Sequence, residues 1–217
     1  MTDLLDLDRA LIDRATIDRT TATAPARSAG RPIDLVAARH AVADLLDALG
    51  QNQTDPELTD TPRRVAEAFA EMLTPEPCSC TTFPNDGGYD EMVIARSIPM
   101  HSLCAHHLLP FIGVAHVAYL PGERIVGLSK LARVVDHFSR RLQNQERLTT
   151  QVADWLDENL APKGVGVLIE AEHLCMSLRG IQATGARTVT SAVRGKLRDD
   201  PRTRTEFLTL ARGTSSL

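Results

Sequence analysis

Two short segments far apart in the chain combine cysteine with histidine, and they restrict the fold more than any other feature of the sequence. Residues 100–112 read M-H-S-L-C-A-H-H-L-L-P-F-I, and residues 172–176 read E-H-L-C-M. Zinc prefers thiolate and imidazole ligands in a tetrahedron, and a catalytic site needs only three of them from the protein. If these segments form one site, the fold must bring them together. The candidate ligands are Cys104, His106, His107, His173 and Cys175.

A simpler interpretation is that the thiols are buried and that the histidines are hydrogen bonded to backbone groups. The C-x-x-H pair of Cys104 and His107 does not by itself separate the two interpretations. The H-x-C pair of His173 and Cys175, in a second apolar segment, favours the metal site.

Length, charge and cysteine usage narrow the function classes. The chain has 217 residues and a formal net charge of −4, which gives no reason to expect nucleic acid or an anionic membrane as a partner. No run approaches the roughly 20 apolar residues of a membrane span, and residues 1–12 lack the pattern of a signal peptide. Four cysteines without a regular framework fit a reducing cytoplasm. Cys78 and Cys80, in the turn-rich P-E-P-C-S-C, are interpreted as exposed loop thiols.

The N-terminal part of the chain divides into two regions. Residues 1–32 are interpreted as an extension and linker that is partly disordered, with helical leucine spacing near its start. Residues 33–80 form a predicted helical region. Its first helix runs from a cap at Asp34 to a stop at Gly50, and its second begins with Thr61 as N-cap and Pro62 in the first turn.

The spacing of apolar residues changes at residue 81, and the pattern of residues 81–217 predicts a domain that mixes strands and helices. Strands are predicted at residues 92–98, 113–120, 165–171 and 184–193. Two amphipathic helices lie between the second and third strands, and a last helix follows Pro201. This order predicts an α+β fold, with a four-stranded antiparallel sheet and two helices on one face.

The start of the first of these amphipathic helices is a candidate anion site. Ser129 is a plausible N-cap, and Lys130 and Arg133 follow within the first turn. Free backbone amides, a hydroxyl and two cations at a helix start suit a phosphate. An ordinary capped helix with surface cations explains the same residues. Arg64 and Arg179 are further cations that a polyphosphate would need.

Gln145 and Glu146 open the second amphipathic helix. A carboxylate at a helix start is stabilised by the helix dipole, so capping alone explains Glu146. A carboxylate can also accept the two adjacent donors of guanine, N1–H and the 2-amino group. The residues alone do not choose between these interpretations.

Five runs, in this order and spacing, resemble the zinc-dependent GTP cyclohydrolase I family. They are C-A-H-H-L-L-P-F-I-G, G-L-S-K-L-A-R, R-L-Q-N-Q-E-R-L-T, E-H-L-C-M-S-L-R-G and E-F-L. The resemblance extends from about Asp60 to Ala211. It implies the tunnelling fold for residues 81–217, GTP as substrate, Zn²⁺ as cofactor and a homo-oligomer in the form of a ring-shaped decamer.

The resemblance also implies roles for individual residues. The implied zinc ligands are Cys104, His107 and Cys175. The implied acid–base residues are His106 and His173, with Ser129 as a candidate proton shuttle. The implied guanine-binding pair is Gln145 and Glu146. The implied triphosphate cradle is Ser129, Lys130, Arg133, Arg179 and Arg64, with Arg64 supplied by a neighbouring subunit.

One residue departs from the family pattern. Ala105 stands where the family usually has a glutamate, so a carboxylate that orients a histidine or a water is missing, unless Glu170 or Glu172 replaces it. The implied reaction is hydrolysis at C8 of GTP, loss of formate and rearrangement to 7,8-dihydroneopterin triphosphate, for folate, another pterin or a deazapurine.

Three alternatives to that reaction stay open. Because of Ala105, the first is an enzyme that stops at the formylated ring-opened intermediate. The second is a non-catalytic GTP-binding regulatory protein of the same fold. The third is a protein in which zinc is purely structural, although such zinc normally has four protein ligands.

Overall fold

A computed structural model of the chain describes residues 32–213, so the expectations for residues 1–31 lie outside the described part. Two packed helices come first, α1 (Leu35–Ala48) and α2 (Thr61–Met72). Gly50, with a φ of +72°, follows α1 in the left-handed region that favours glycine, as predicted for the helix stop. Asp60 is the N-cap residue of α2, so the prediction that Thr61 caps this helix is wrong by one position. Pro62 occupies the first turn as predicted.

The remaining elements form the mixed α+β domain. The strands are β1 (Thr82–Pro84), β2 (Val93–Cys104), β3 (Pro110–Leu120), β4 (Arg124–Val126), β5 (Leu142–Gln143), β6 (Gly164–His173) and β7 (Arg187–Gly195). The helices are α3 (Leu128–Ser139), α4 (Gln145–Leu160), α5 (Leu174–Ser177), α6 (Lys196–Asp199) and α7 (Pro201–Arg212).

The main sheet has the order β5-β2-β3-β6-β7. Strands β2, β3, β6 and β7 pair antiparallel, which confirms the predicted four-stranded sheet and the fold class. The two-residue β5 adds parallel to the end of β2, and β1 pairs with β4 in a separate ribbon. These short strands were not predicted, because two or three residues show no period.

Different helices pack against the two faces of the sheet. Val117 and Tyr119 of β3 pack in the cluster formed with α3 and α4, whereas Ala118 packs with Phe207 of α7 in a second cluster. Successive side chains of a strand lie on opposite faces, so α3 with α4 and α7 cover opposite sides. At Gly166 of β6, a Cβ would lie 2.6 Å from Leu197 Cδ2, and therefore only glycine lets the second cluster approach so closely.

The sheet topology brings the two cysteine–histidine segments to one edge. Strands β2 and β6 both pair antiparallel with β3, so they run in the same direction. Both extend beyond the predicted bounds, β2 to Cys104 and β6 to His173, and their ends lie on either side of the start of β3. Among residues 32–213, no helix has the length and apolar character needed to cross a bilayer.

Candidate active site

Three potential metal ligands meet where β2 and β6 end. Cys104 is the last residue of β2, His107 lies in the loop to β3, and Cys175 lies in α5. Their ligand atoms all lie within 4.8 Å of one another. Zinc bound to sulfur at about 2.3 Å and nitrogen at about 2.0 Å separates tetrahedral donors by about 3.5 Å, so the three residues fit zinc with little movement. The donor set, two thiols and one imidazole, also suits zinc.

A tight loop holds the first segment in place. The Cys104 backbone N–H donates to the Leu109 carbonyl at 2.9 Å, and the Leu108 N–H donates to the Cys104 carbonyl at 2.9 Å. Leu108 has a φ of +57°, a left-handed conformation that is costly for a residue other than glycine. The Ala105 N–H donates to the Gln143 carbonyl of β5 at 2.8 Å, which ties the loop to the sheet.

His106 stands beside the potential metal ligands. Its Nδ1 lies 3.7 Å from Cys104 Sγ, the same separation as that between His107 Nδ1 and Cys104 Sγ. The two imidazole rings lie edge to face, with centroids 6.2 Å apart. A second histidine therefore lies beside the three potential metal ligands, and His106 and His107 are both exposed.

The thiol of Cys175 is affected by its surroundings. Burial raises its pKa, and the neighbouring Cys104 thiol raises it further, whereas the Arg179 guanidinium lowers it. A bound cation would oppose the first two effects, because it stabilises the thiolate.

His173, the last residue of β6, lies between two elements. Its ring stacks on Phe111 of β3, with centroids 4.7 Å apart and planes at 4°. Its Nε2 lies 2.8 Å from Oε1 of Gln145, the first residue of α4. Burial lowers the pKa of His173, and the nearby Glu146 carboxylate raises it. The sequence analysis missed Phe111, because a run of apolar residues does not reveal which ring faces a histidine.

The two residues predicted to bind guanine differ in exposure. Glu146 is exposed in the first turn of α4. Gln145 is only 1% exposed, and its carboxamide is bonded to protein groups on both sides. Contact between guanine and Gln145 stays a prediction that this burial does not favour.

The predicted phosphate residues belong to different elements and have different local partners. Gly127 is the N-cap residue of α3, so the prediction that Ser129 caps this helix is wrong, and Ser129 is an exposed residue of the first turn. Lys130 Nζ lies 3.4 Å from Ser79 Oγ, and Arg133 is exposed. Arg64, on α2, has a 68% exposed side chain paired with Asp60 at 3.2 Å.

The P-E-P-C-S-C segment packs along α3. The Glu76 carbonyl lies 2.7 Å from His137 Nδ1 near the end of this helix, and Ser79 lies near its start. Cys78 and Cys80 are partly buried against the main core, so the prediction of exposed loop thiols is wrong. Burial raises the pKa of both thiols, and the Lys130 charge lowers it.

The two carboxylates considered as replacements for the glutamate missing at position 105 have other partners. Glu170 pairs with Arg187 at 3.5 Å, and Glu172 accepts the Gly185 N–H at 3.2 Å. Ala105 itself is exposed. These partners give no support to the idea that Glu170 or Glu172 replaces that glutamate.

Comparison with known proteins gives a consistent result. The family described as GTP cyclohydrolase I matches residues 38–212. A GTP cyclohydrolase 1 of Deinococcus radiodurans is 52% identical over 173 residues, covering 78% of this chain and 80% of that protein. The chain is similarly 53% identical over 180 residues to a GTP cyclohydrolase 1 of Streptomyces avermitilis, covering 80% of this chain and 88% of that protein. One from Aquifex aeolicus is 49% identical over 181 residues, covering 83% of this chain and 98% of that protein.

Proposed function

The chain belongs to the GTP cyclohydrolase I family, and from this premise we propose that it hydrolyses the guanine imidazole ring of GTP at C8. Formate is then released, and the product rearranges to 7,8-dihydroneopterin triphosphate. The observation that carries this proposal is the convergence of the ligand atoms of Cys104, His107 and Cys175 within 4.8 Å, with His106 beside them. A convergence of this kind is what metal-assisted hydrolysis requires.

We propose Zn²⁺ as the metal and these three residues as its ligands. When bound, zinc supplies Lewis acidity and so makes a nucleophile available at neutral pH. Three protein ligands are typical of a catalytic zinc site, whereas a structural one normally has four. The ligand set therefore favours the enzyme over the alternative of a purely structural zinc protein.

The two remaining histidines are assigned to proton transfer. C8 of guanine is weakly electrophilic, and a proton placed on N7 makes it more so. His106, whose Nδ1 lies 3.7 Å from Cys104 Sγ, and His173, two residues before Cys175, are assigned to give and take such protons. Ser129 is assigned to proton movement during the later rearrangement of the ribose.

Charged residues around the site are assigned to binding the guanine edge and the triphosphate of GTP. The exposed Glu146 accepts N1–H and the 2-amino group of guanine, for which Gln145 was also predicted. The triphosphate binds Arg179, next to Cys175, together with Lys130 and Arg133 at the start of α3. The last contributor is Arg64, from a neighbouring subunit.

We propose a homo-oligomer, in the form of a decamer, in which substrate sites are completed between subunits. Lys130 lies 3.4 Å from Ser79 and Arg64 pairs with Asp60 on α2, so different elements of the chain supply the proposed triphosphate residues. Leu45 of α1 and Leu49 just after it support association, because they are 56% and 63% exposed. Sedimentation analysis tests this assembly, and a fully active monomer would contradict it.

The proposed cellular location is the cytoplasm. The cysteines of residues 32–213 are all free, which suits a reducing cytoplasm. The product would be a precursor of folate, another pterin or a deazapurine.

The reaction is tested by incubating zinc-loaded protein with GTP and measuring formate and neopterin triphosphate over time. A sample treated with a chelator is the matched control, and it should form neither product. Release of formate together with neopterin triphosphate is the expected result. Accumulation of the formylated ring-opened intermediate alone would support the shortened reaction, and unchanged GTP would support the non-catalytic alternative.

A further inference from the structure

The buried carboxamide of Gln145 has only one orientation that satisfies its surroundings. Its Nε2 lies 3.1 Å from the Ile169 carbonyl oxygen and 2.9 Å from the Thr188 carbonyl oxygen. Carbonyl oxygens only accept hydrogen bonds, so the NH₂ group must face them. The reverse orientation would bury Oε1 against two other acceptors, at a cost typical of unsatisfied polar groups.

Two threonine hydroxyls complete this arrangement. Thr190 Oγ1 lies 3.1 Å from Gln145 Nε2 and 2.6 Å from Thr149 Oγ1. Thr149 Oγ1 in turn lies 2.7 Å from the Gln145 backbone carbonyl. Thr149 can therefore donate to the carbonyl of Gln145 and Thr190 to Thr149, which leaves the Thr190 oxygen as a third acceptor that shares the two hydrogens of Gln145 Nε2 with the carbonyls. Every donor in this closed circuit has an acceptor, and the direction agrees with the orientation required by the carbonyls.

The orientation of Gln145 determines where His173 carries its hydrogen. Oε1 of Gln145 faces His173 Nε2 at 2.8 Å, and an amide oxygen can only accept. Nε2 of His173 must therefore be the donor, which leaves Nδ1 as the unprotonated nitrogen of the neutral ring. The stacked ring of Phe111 holds the plane of the imidazole, and the hydrogen bond from Nε2 to Gln145 selects one of the two ring orientations within that plane.

We propose that Gln145 is a positioning residue that sets the orientation and tautomer of His173, and that Nδ1 is the nitrogen through which His173 exchanges protons with the substrate. This inference rests on the proposed function for the role of His173 in proton transfer. It replaces a contact between Gln145 and guanine, because Gln145 is 1% exposed and both ends of its carboxamide already bond protein groups.

The tautomer can be measured without any turnover. Zinc-loaded protein is labelled with ¹⁵N in histidine, and its solid-state NMR spectrum is recorded at a pH where the rings are neutral. Protonated and bare ring nitrogens have well separated shifts, and a His173→Gln variant identifies the signals of this residue. A hydrogen on Nε2 is expected. A hydrogen on Nδ1 in the unmodified protein would overturn the proposal without reference to any variant.

A pair of variants then tests whether Gln145 is the cause. Gln145→Met keeps the shape of the side chain and removes its hydrogen bonds, so the His173 signals should shift towards a mixture of tautomers. Gln143→Met is the matched control, since Gln143 is equally buried at 1% but bonds Phe138, Gln151 and Arg147 instead. It should leave the His173 signals unchanged. Unchanged signals in Gln145→Met would overturn the proposal.

Steady-state kinetics distinguish a positioning role of Gln145 from a direct contact between Gln145 and the substrate. Loss of a group that orients a functional histidine typically costs 10–100-fold, so Gln145→Met should lower kcat by this factor with little change in KM for GTP. A raised KM with unchanged kcat would show a direct contact with guanine and overturn the proposal. If the unmodified protein released no formate, the proposed function would fail, while the tautomer measurement would still decide the role of Gln145.

Discussion

Phe111 and His173 are direct partners across the pairing of β3 with β6, and their rings lie parallel with centroids 4.7 Å apart. Phe111 is fully buried in the main core, whereas His173 is only partly buried at the edge of the candidate active site. Phe111 is therefore both a core residue and the support of the imidazole that is proposed to transfer protons.

Shortening Phe111 should reduce both stability and turnover. Phe111→Ala should cost about 3–5 kcal/mol of unfolding free energy, and Phe111→Leu should lose mainly the ring contact, about 0.5–1.5 kcal/mol. Urea unfolding measures both changes. Phe207→Leu is the control, because Phe207 is equally buried in the second cluster. Its kcat should be kept, whereas equal kcat values for the two leucine variants would contradict a supporting role of Phe111.

Removal of a cysteine ligand should abolish stoichiometric zinc binding. Cys104→Ser and Cys175→Ser should contain far less than one zinc per chain by elemental analysis, while Cys78→Ser and Cys80→Ser should keep it. Burial and Cys104 raise the pKa of the Cys175 thiol, and the metal binds the thiolate. Protons therefore compete with zinc, and affinity should fall as the pH is lowered. Full occupancy in either ligand variant would exclude that residue.

Neutralising the proposed triphosphate residues should weaken GTP binding more than guanosine binding. Lys130→Gln, Arg133→Gln and Arg179→Gln each remove a charge-assisted hydrogen bond, which is worth about 1.5–3 kcal/mol. Calorimetric titration with both ligands provides the comparison. Arg198→Gln serves as control, since Arg198 is exposed and pairs with Asp199. Equal losses for GTP and guanosine would mean that these residues do not bind the phosphates.

Ala105 should permit the complete reaction, with a rate below that of a variant with the glutamate. A missing group that orients a functional residue typically costs 10–100-fold in activity. Ala105 is exposed, so Ala105→Glu introduces no buried charge. A time course with GTP should show neopterin triphosphate from both proteins, and faster from Ala105→Glu. An intermediate that persists in the unmodified protein and disappears in the variant would show that the carboxylate is essential.

Asp200 should make stability depend on pH in the acid range. Its carboxylate accepts the Arg202 N–H and the Thr203 hydroxyl, each at 2.9 Å, at the start of α7, and these bonds lower its pKa. A lowered folded-state pKa means that the stabilisation is present above the unfolded pKa of about 3.9 and is lost as pH falls through the folded value. Asp200→Asn should be less stable than the unmodified protein at pH 7, and the difference should shrink as the pH is lowered below the unfolded pKa of about 3.9. A constant difference in urea midpoint across this range would refute the assignment.

The sequence by itself determined the elements and the chemistry of the site. Apolar periods of two and 3.6 residues predict the four long strands and the helices α3 and α4, because such periods state which face of an element is buried. Spacing of thiol and imidazole groups predicts Cys104, His107 and Cys175 as a possible metal set. The order of the motifs indicates the family, which the comparisons confirm.

Only the tertiary structure decided which residues face one another. The stack of Phe111 on His173 depends on the register between β3 and β6, and the hydrogen bond from His173 to Gln145 depends on how α4 lies against the sheet. The packing of Cys78 along α3 depends on the path of a segment without a period. A local pattern records the polarity of each side chain, but not its distant neighbour. The orientation of a catalytic ring is therefore a property of the packed sheet and helices, and no single segment contains it.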